Sequence, residues 1–207
     1  MTDIRTALEP SPADLDRLSH RLAEAADASG ELDIAICEAD SPVGPLLLAA
    51  TPVGLVRLAF TTEDTESVLA DLAVRVSPRI LRAPRRLDRT RKELEEYFAG
   101  RRTGFAVPLD RRLSSGFRDE AQRQLLEIPY GTTITYAALA ARSGRPTAVR
   151  AAAGACAANP VPIVVPCHRV VRTDGSPGGY RGGVDAKRWI LAFEEANARG
   201  RDVPTTS

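Results

Sequence analysis

Residues 128–194 read IPYGTTITYAALAARSGRPTAVRAAAGACAANPVPIVVPCHRVVRTDGSPGGYRGGVDAKRWILAFE, and their punctuation sets the organisation of the second half of the chain. Ile128-Pro129-Tyr130-Gly131 breaks whatever precedes it. Thr135 is placed to cap a helix over Tyr136–Ala141, Ser143-Gly144-Arg145 makes a turn, and Pro146 suits the first position of a second helix running to about Ala157. That is a helix–turn–helix pattern. Asn159-Pro160 ends it, a buried-type run VPIVVP leads to Cys167, and a glycine-rich loop precedes a last helix, DAKRWILAFEEANA.

Upstream the pattern changes. Leu32 to Phe60 carries three short β-type runs, LDIAICEA, GPLLLAAT and GLVRLAF, separated by Ser-Pro-Val-Gly and Thr-Pro-Val-Gly turns, which predicts a small antiparallel meander. Helices are expected over about 63–75, 86–99 and 116–127. Near the N-terminus, SPADLDRLSHRLAEAADAS spaces Leu15, Leu18 and Leu22 as a short amphipathic helix.

The 207 residues are 43% apolar and 27% charged, a globular composition, and no apolar run approaches the roughly 20 residues needed to cross a bilayer. The N-terminus lacks a secretory pattern and the three cysteines are an odd number, so a cytoplasmic protein with free thiols is expected. The net charge of +1 hides a separation. Residues 1–84 hold 14 acidic against 7 basic side chains, net −7, and residues 85–207 hold 13 against 21, net +8. A basic half can face a polyanion, though many proteins with such a surplus touch no nucleic acid.

Three features bear on chemistry. Pro166-Cys167-His168-Arg169 can be a buried structural pair, or a thiol nucleophile whose thiolate fraction is raised by His168, Arg169 and the basic surroundings. Cys37 and Cys156 show no metal-type spacing and His20 is distant, so no metal site is expected. The helix PTAVRAAAGACAA carries small side chains, with Thr147, Arg150, Gly154 and Ala157 on one face; it is either an ordinary alanine-rich core helix or a surface able to press closely on a partner. The glycines of Gly178-Gly179-Tyr180-Arg181-Gly182-Gly183 permit unusual backbone angles or a close approach to a ligand.

Taken together, Ile128 to Glu194 closely resembles the O6-alkylguanine-DNA alkyltransferases, the methylated-DNA–protein-cysteine methyltransferases, and the spacing of Tyr136, Arg150, Asn159, Cys167, Tyr180 and Glu194 agrees throughout. Residues 33–100, with EYFAGRRTGFAVPLD, loosely resemble that family's N-terminal domain. The resemblance implies a two-domain α+β protein. A small ribonuclease H-like antiparallel sheet with helices spans 33–108, and a mostly helical, winged helix–turn–helix-like domain spans 109–198, flanked by an extension, 1–32, and a tail, 199–207.

The resemblance also implies the chemistry. Cys167 is the alkyl acceptor, attacking O6-alkylguanine, and O4-alkylthymine besides, in a single irreversible turnover without cofactor. His168 takes the thiol proton through a water, Glu194 orients the imidazole, Asn159 braces the turn, and the Tyr136 hydroxyl serves the base. Pro162 and Tyr180 wall the pocket, while backbone near Val170 and Arg181 reads the base edge. The partner is double-stranded DNA, bound by a monomer through its minor groove, with cooperativity left open. Arg150 fills the vacancy left by the extruded nucleotide, and Thr147, Ala148, Ala151, Gly154 and Ala157 let the helix sink into the groove. Residues 111–127 lack the family's tryptophan and Gly-Thr-Pro-Phe-Gln pattern, and Arg181 stands where relatives often have serine. A non-reacting lesion-binding adaptor is the alternative; the cysteine at the acceptor position separates the two. A DNA-binding regulator is disfavoured because Cys37 alone cannot build a cysteine-rich sensor domain.

Overall fold

A computed structural model describes residues 11–201, so 1–10 of the extension and 202–207 of the tail lie outside the described residues. Helix α1, Pro12–Ala28, starts at a reciprocal cap: Ser11 Oγ accepts the Asp14 N–H, and the Asp14 carboxylate accepts the Ser11 N–H. Its buried side differs from the one the leucine spacing suggested. Leu15, Leu18 and Leu22 are 50%, 55% and 58% exposed, whereas Ala23 and Ala26 pack on the core. The alanine side lets the helix come close enough for Glu24 to pair with Arg85 and Asp27 with Arg86.

Strands β1 (Ile34–Ala39), β2 (Leu46–Ala50) and β3 (Leu55–Phe60) form the expected antiparallel meander. A fourth strand, β4 (Ile80–Arg82), joins parallel to β1, so the sheet is mixed, in the order β3-β2-β1-β4, rather than purely antiparallel. Three residues are too few to show strand alternation, and parallel pairing requires the long return made here through α2, Thr65–Arg75. The sheet buries both faces. Leu46 and Leu48 point to the main core, while Ala49 and Ile34 meet Val68 and Leu72 of α2. Helix α3, Asp88–Phe98, follows a 3₁₀ turn at Pro84–Leu87 and adds Leu94 and Tyr97 to the main core.

The chain passes between the two halves beside β3, where the Leu55 N–H donates to Pro108 O and the Asp110 N–H donates to Leu55 O. In the atypical segment, Arg111 and Arg123 pair with Asp119, and Arg145 lies 5.4 Å over the Phe117 ring. The two ion pairs stay within the segment, while the Arg145 contact and the Gln122 amide, which donates to Ala155 O (3.3 Å), tie α4 (Gly116–Leu126) to the pair α5 (Tyr136–Arg142) and α6 (Val149–Ala157). Thr135 caps α5 as expected, its Oγ1 accepting the Ala138 N–H. Helix α6 begins three residues later than expected: Pro146 and Thr147 lie in a turn closed by the Ala148 N–H on Arg145 O, and the first helical bond runs from Ala152 to Ala148. Parallel two-residue strands β5 (Ile134–Thr135) and β6 (Val170–Val171) and the long α7 (Gly183–Arg201) complete the fold. One continuous apolar core joins the sheet to the helical half, from Leu46 and Tyr97 to Leu139, Val165 and Ile190.

Candidate active site

The site is built on the turn after α6. Asn159, fully buried, accepts the Val161 N–H on Oδ1 (3.1 Å) and donates from Nδ2 to Val165 O (2.7 Å). Both bonds close the turn on itself and hold Ile163 at φ 73°, a conformation that a β-branched residue adopts only when its surroundings impose it. The braced turn delivers Cys167, His168 and Arg169 in a 3₁₀ turn, all three buried, with Cys167 only 3% exposed.

Glu194 of α7 is the hub. Its Oε1 lies 3.0 Å from His168 Nε2 and accepts from Arg169 Nη2 (2.8 Å) and from the Tyr97 hydroxyl (2.6 Å). Its Oε2 accepts from Arg169 Nε (2.9 Å) and the Gly131 N–H (3.2 Å). Gly131 stands at φ 72° with Ala198 directly against it, so a side chain there would be strained and would collide. Burial alone would raise the Glu194 carboxyl, but the hydrogen bonds from His168 and Arg169 outweigh it and bring it down to about 2. Burial pushes His168 below the ordinary imidazole range, against the pull of Glu194. The imidazole is therefore neutral at pH 7. An ionised carboxylate only accepts, so Nε2 carries the proton and Nδ1 presents a lone pair. Nδ1 is buried and has no hydrogen-bond partner among the described residues.

Burial also raises the Cys167 thiol, opposed by a hydrogen bond from Asn159 and by the charges of Lys187 and Arg181. The thiol thus rests protonated beside a neutral base. Arg169 does not act on the thiol as its position in the sequence suggested; its guanidinium is spent on Glu194 and on Ile128 O (2.6 Å). Lys187, fully buried, donates to Val170 O (2.6 Å) and lies 5.8 Å from the Tyr136 ring centre. Neither Lys187 nor Tyr97 was singled out from the sequence: Lys187 reads as one more charge on an exposed helix, and Tyr97 belongs to the other half of the chain.

The structure brings Cys167, His168, Asn159 and Glu194 together and sets Tyr136 and Tyr180 beside them. Tyr136 opens α5, half-buried, its phenol pushed up to about 12 by burial, with Cys156 and Cys167 adding to the shift. Its hydroxyl lies against Gly178, where a Cβ would run into it. The Tyr180 ring stands edge-on to His168 at 6.4 Å, its buried hydroxyl without a hydrogen-bond partner among the described residues. Pro162 is buried within the braced turn. The Val170 N–H donates to Cys167 O, and its carbonyl takes the Lys187 bond. The Arg181 side chain turns away toward the sheet, pairing with Glu63 (2.7 Å) and donating to Ala157 O (3.0 Å). Thr147, Arg150, Ala151, Gly154 and Ala157 are exposed and Ala148 partly so, leaving a shallow surface with a single arginine.

The comparisons agree with this architecture. The family model described as 6-O-methylguanine DNA methyltransferase, DNA binding domain, matches residues 116–196, and its ribonuclease-like domain counterpart matches 38–111. A probable methylated-DNA–protein-cysteine methyltransferase of Acanthamoeba polyphaga mimivirus is 39% identical over 150 residues, 72% of this chain and 95% of that protein. The methylated-DNA–protein-cysteine methyltransferase of Methanosarcina barkeri is 34% identical over 160 residues, 77% of this chain and 96% of its own length. The crystal structure of Mycobacterium tuberculosis O6-methylguanine methyltransferase has a TM-score of 0.70 at 34% identity, covering 79% of this chain and 94% of that one. That of Mycobacterium tuberculosis OGT in complex with DNA scores 0.68 at 34% identity, covering 79% and 93%. With both halves matched and relatives covered almost from end to end, the chain belongs to the methylated-DNA–protein-cysteine methyltransferase family.

Proposed function

We propose that the protein extrudes O6-alkylguanine, and O4-alkylthymine, from duplex DNA and transfers the alkyl group once and irreversibly to Cys167. The observation that carries this reading is the buried His168, its Nε2 committed to Glu194 and its Nδ1 lone pair unclaimed, next to a buried thiol. His168 Nδ1 takes the Cys167 proton through one water, and the imidazolium is stabilised by Glu194. The thiolate attacks the alkyl carbon, a C–S bond forms as the C–O6 bond breaks, and the electron pair leaves with the guanine oxygen. Tyr136 serves the extruded base with its hydroxyl, which burial keeps protonated. Because the thioether is stable, each molecule reacts once.

In this reading α6 lies in the minor groove, its small residues allowing close approach and Arg150 filling the vacated stack, with a few kcal/mol of unstacking to offset. Tyr180 and Pro162 wall the pocket. A relative solved with DNA and the match to a DNA-binding domain model support this side of the reading. Incubation with a duplex bearing one O6-methylguanine, followed by intact-protein mass measurement, is expected to show the gain of one CH2, absent in Cys167→Ser. Tight lesion binding with unchanged mass would overturn the transfer and leave a non-reacting adaptor.

A further inference from the structure

The relay includes a hydroxyl from the N-terminal half of the chain. Tyr97 stands near the end of α3, fully buried, 97 residues before the carboxylate it meets. Its ring is enclosed by aromatic neighbours, with centroids at 5.1 Å (Phe98), 5.2 Å (Phe105), 5.8 Å (Phe193) and 6.0 Å (Tyr130). A phenylalanine would satisfy that nest equally well. What tyrosine adds is an O–H, and burying a hydroxyl is unfavourable unless it is bonded. It is bonded, at 2.6 Å, to Oε1, the same Glu194 oxygen that faces His168 Nε2.

We infer that Tyr97 is a positioning residue for alkyl transfer, its hydroxyl fixing the Glu194 oxygen that orients His168 and moderating the negative charge which that oxygen presents to the imidazole. This rests on the proposed transfer to Cys167. Oε1 carries three donors, Tyr97, Arg169 and His168, and each added donor leaves less charge for the others. The shared oxygen stabilises the imidazolium less than a free carboxylate would, so His168 rests neutral and ready to accept at Nδ1. Its remaining lone-pair direction also holds the Nε2–H tautomer. The groups around His168 are Glu194 and Lys187 from α7, Arg169 from its own turn, Tyr180 from the glycine-rich loop and Cys167. Those around Glu194 add Tyr97 and, across the aromatic nest, Tyr130. Burial and the Glu194 charge hold the Tyr97 phenol well above its ordinary range, so it remains a donor throughout.

The chain has two histidines, which makes the relay directly readable. The full-length protein labelled with 15N-histidine is titrated by NMR, a His20→Gln variant assigning the second ring, alongside Tyr97→Phe and Phe105→Leu. Removal of the hydroxyl is expected to move the His168 midpoint upward, while Phe105→Leu, which disturbs the nest and spares the hydroxyl, leaves it in place. In parallel, the rate of Cys167 alkylation by O6-benzylguanine is followed against pH. One pH unit below the wild-type midpoint, Tyr97→Phe is expected to react about threefold slower relative to its own plateau, because an imidazole whose midpoint has risen stays protonated to higher pH and cannot take the thiol proton. Superimposable His168 titrations in wild type and Tyr97→Phe, or an equal shift in Phe105→Leu, would overturn the inference. Absence of benzylguanine transfer in the wild type would instead sink the proposed function, the NMR titration still deciding the role of Tyr97.

Discussion

Glu194 is held by five donors and its carboxyl lies at about 2, well below the ordinary 4.5. A carboxyl lowered on folding contributes stability that is fully present above its unfolded value and is lost as pH falls toward the folded one. Unfolding free energy is therefore expected to drop between about pH 4.5 and about 2, and part of that slope should vanish in Glu194→Gln, as read by denaturant unfolding across pH. The same variant strands the buried Arg169 charge on Ile128 O and is expected to cost about 3–5 kcal/mol at neutral pH. Cys167 and His168 stood out in the sequence as an adjacent pair, and Asn159 and Glu194 entered only through the family resemblance. The partners that set their protonation were not legible: nothing around Arg169 tells whether it faces the thiol or the carboxylate, and a buried lysine such as Lys187 looks in sequence like any exposed one.

At the scale of elements, α6 is the surface proposed to meet DNA, and its exposed face carries a single arginine among small side chains. Arg150→Ala is expected to slow repair of O6-methylguanine in duplex DNA by about tenfold or more, since the vacated stack is no longer filled. Reaction with free O6-benzylguanine should stay within about twofold, nothing being extruded there. Equal slowing in the two assays would rule out a role in extrusion. Local chemistry made most elements readable. Thr135 and Ser11 cap where their side chains suggested, and the Pro-Val-Gly separators turn the meander. It misplaced the start of α6, because Pro146 suits a first helical position and a turn alike, and the closure at Arg145 O decided for the turn. It missed β4, whose strand character comes from its neighbour β1 and not from its own three residues.

Across the whole molecule, the halves are joined by the shared core, by Tyr97 on Glu194, and by a charge cluster at the sheet edge. Glu63 pairs with both Arg57 of β3 and Arg181 of the glycine-rich loop. Arg57 also reaches Pro160 O, and Thr62 Oγ1 donates to Arg181 O. Glu63→Ala leaves the buried Arg57 without its counter-ion and is expected to lower stability by about 3 kcal/mol. The denaturant midpoint should fall with the slope unchanged, as befits one cooperative core. The contrast between a net −7 N-terminal stretch and a net +8 remainder takes on a structural meaning here: part of the acidic surplus, through Glu63, is used to hold a basic loop beside the site.

The amino-acid sequence by itself determined the helix–turn–helix, the braced cysteine turn and the family, because caps, turns and motif spacing act over a few residues or in a fixed order along one segment. Only the tertiary structure decided that Arg169 neutralises Glu194, that Arg181 faces the sheet, and that the Tyr97 hydroxyl donates to Glu194. Those pairings join positions 25 to 118 residues apart, and packing of the common core, not local propensity, sets which buried charges and hydroxyls meet.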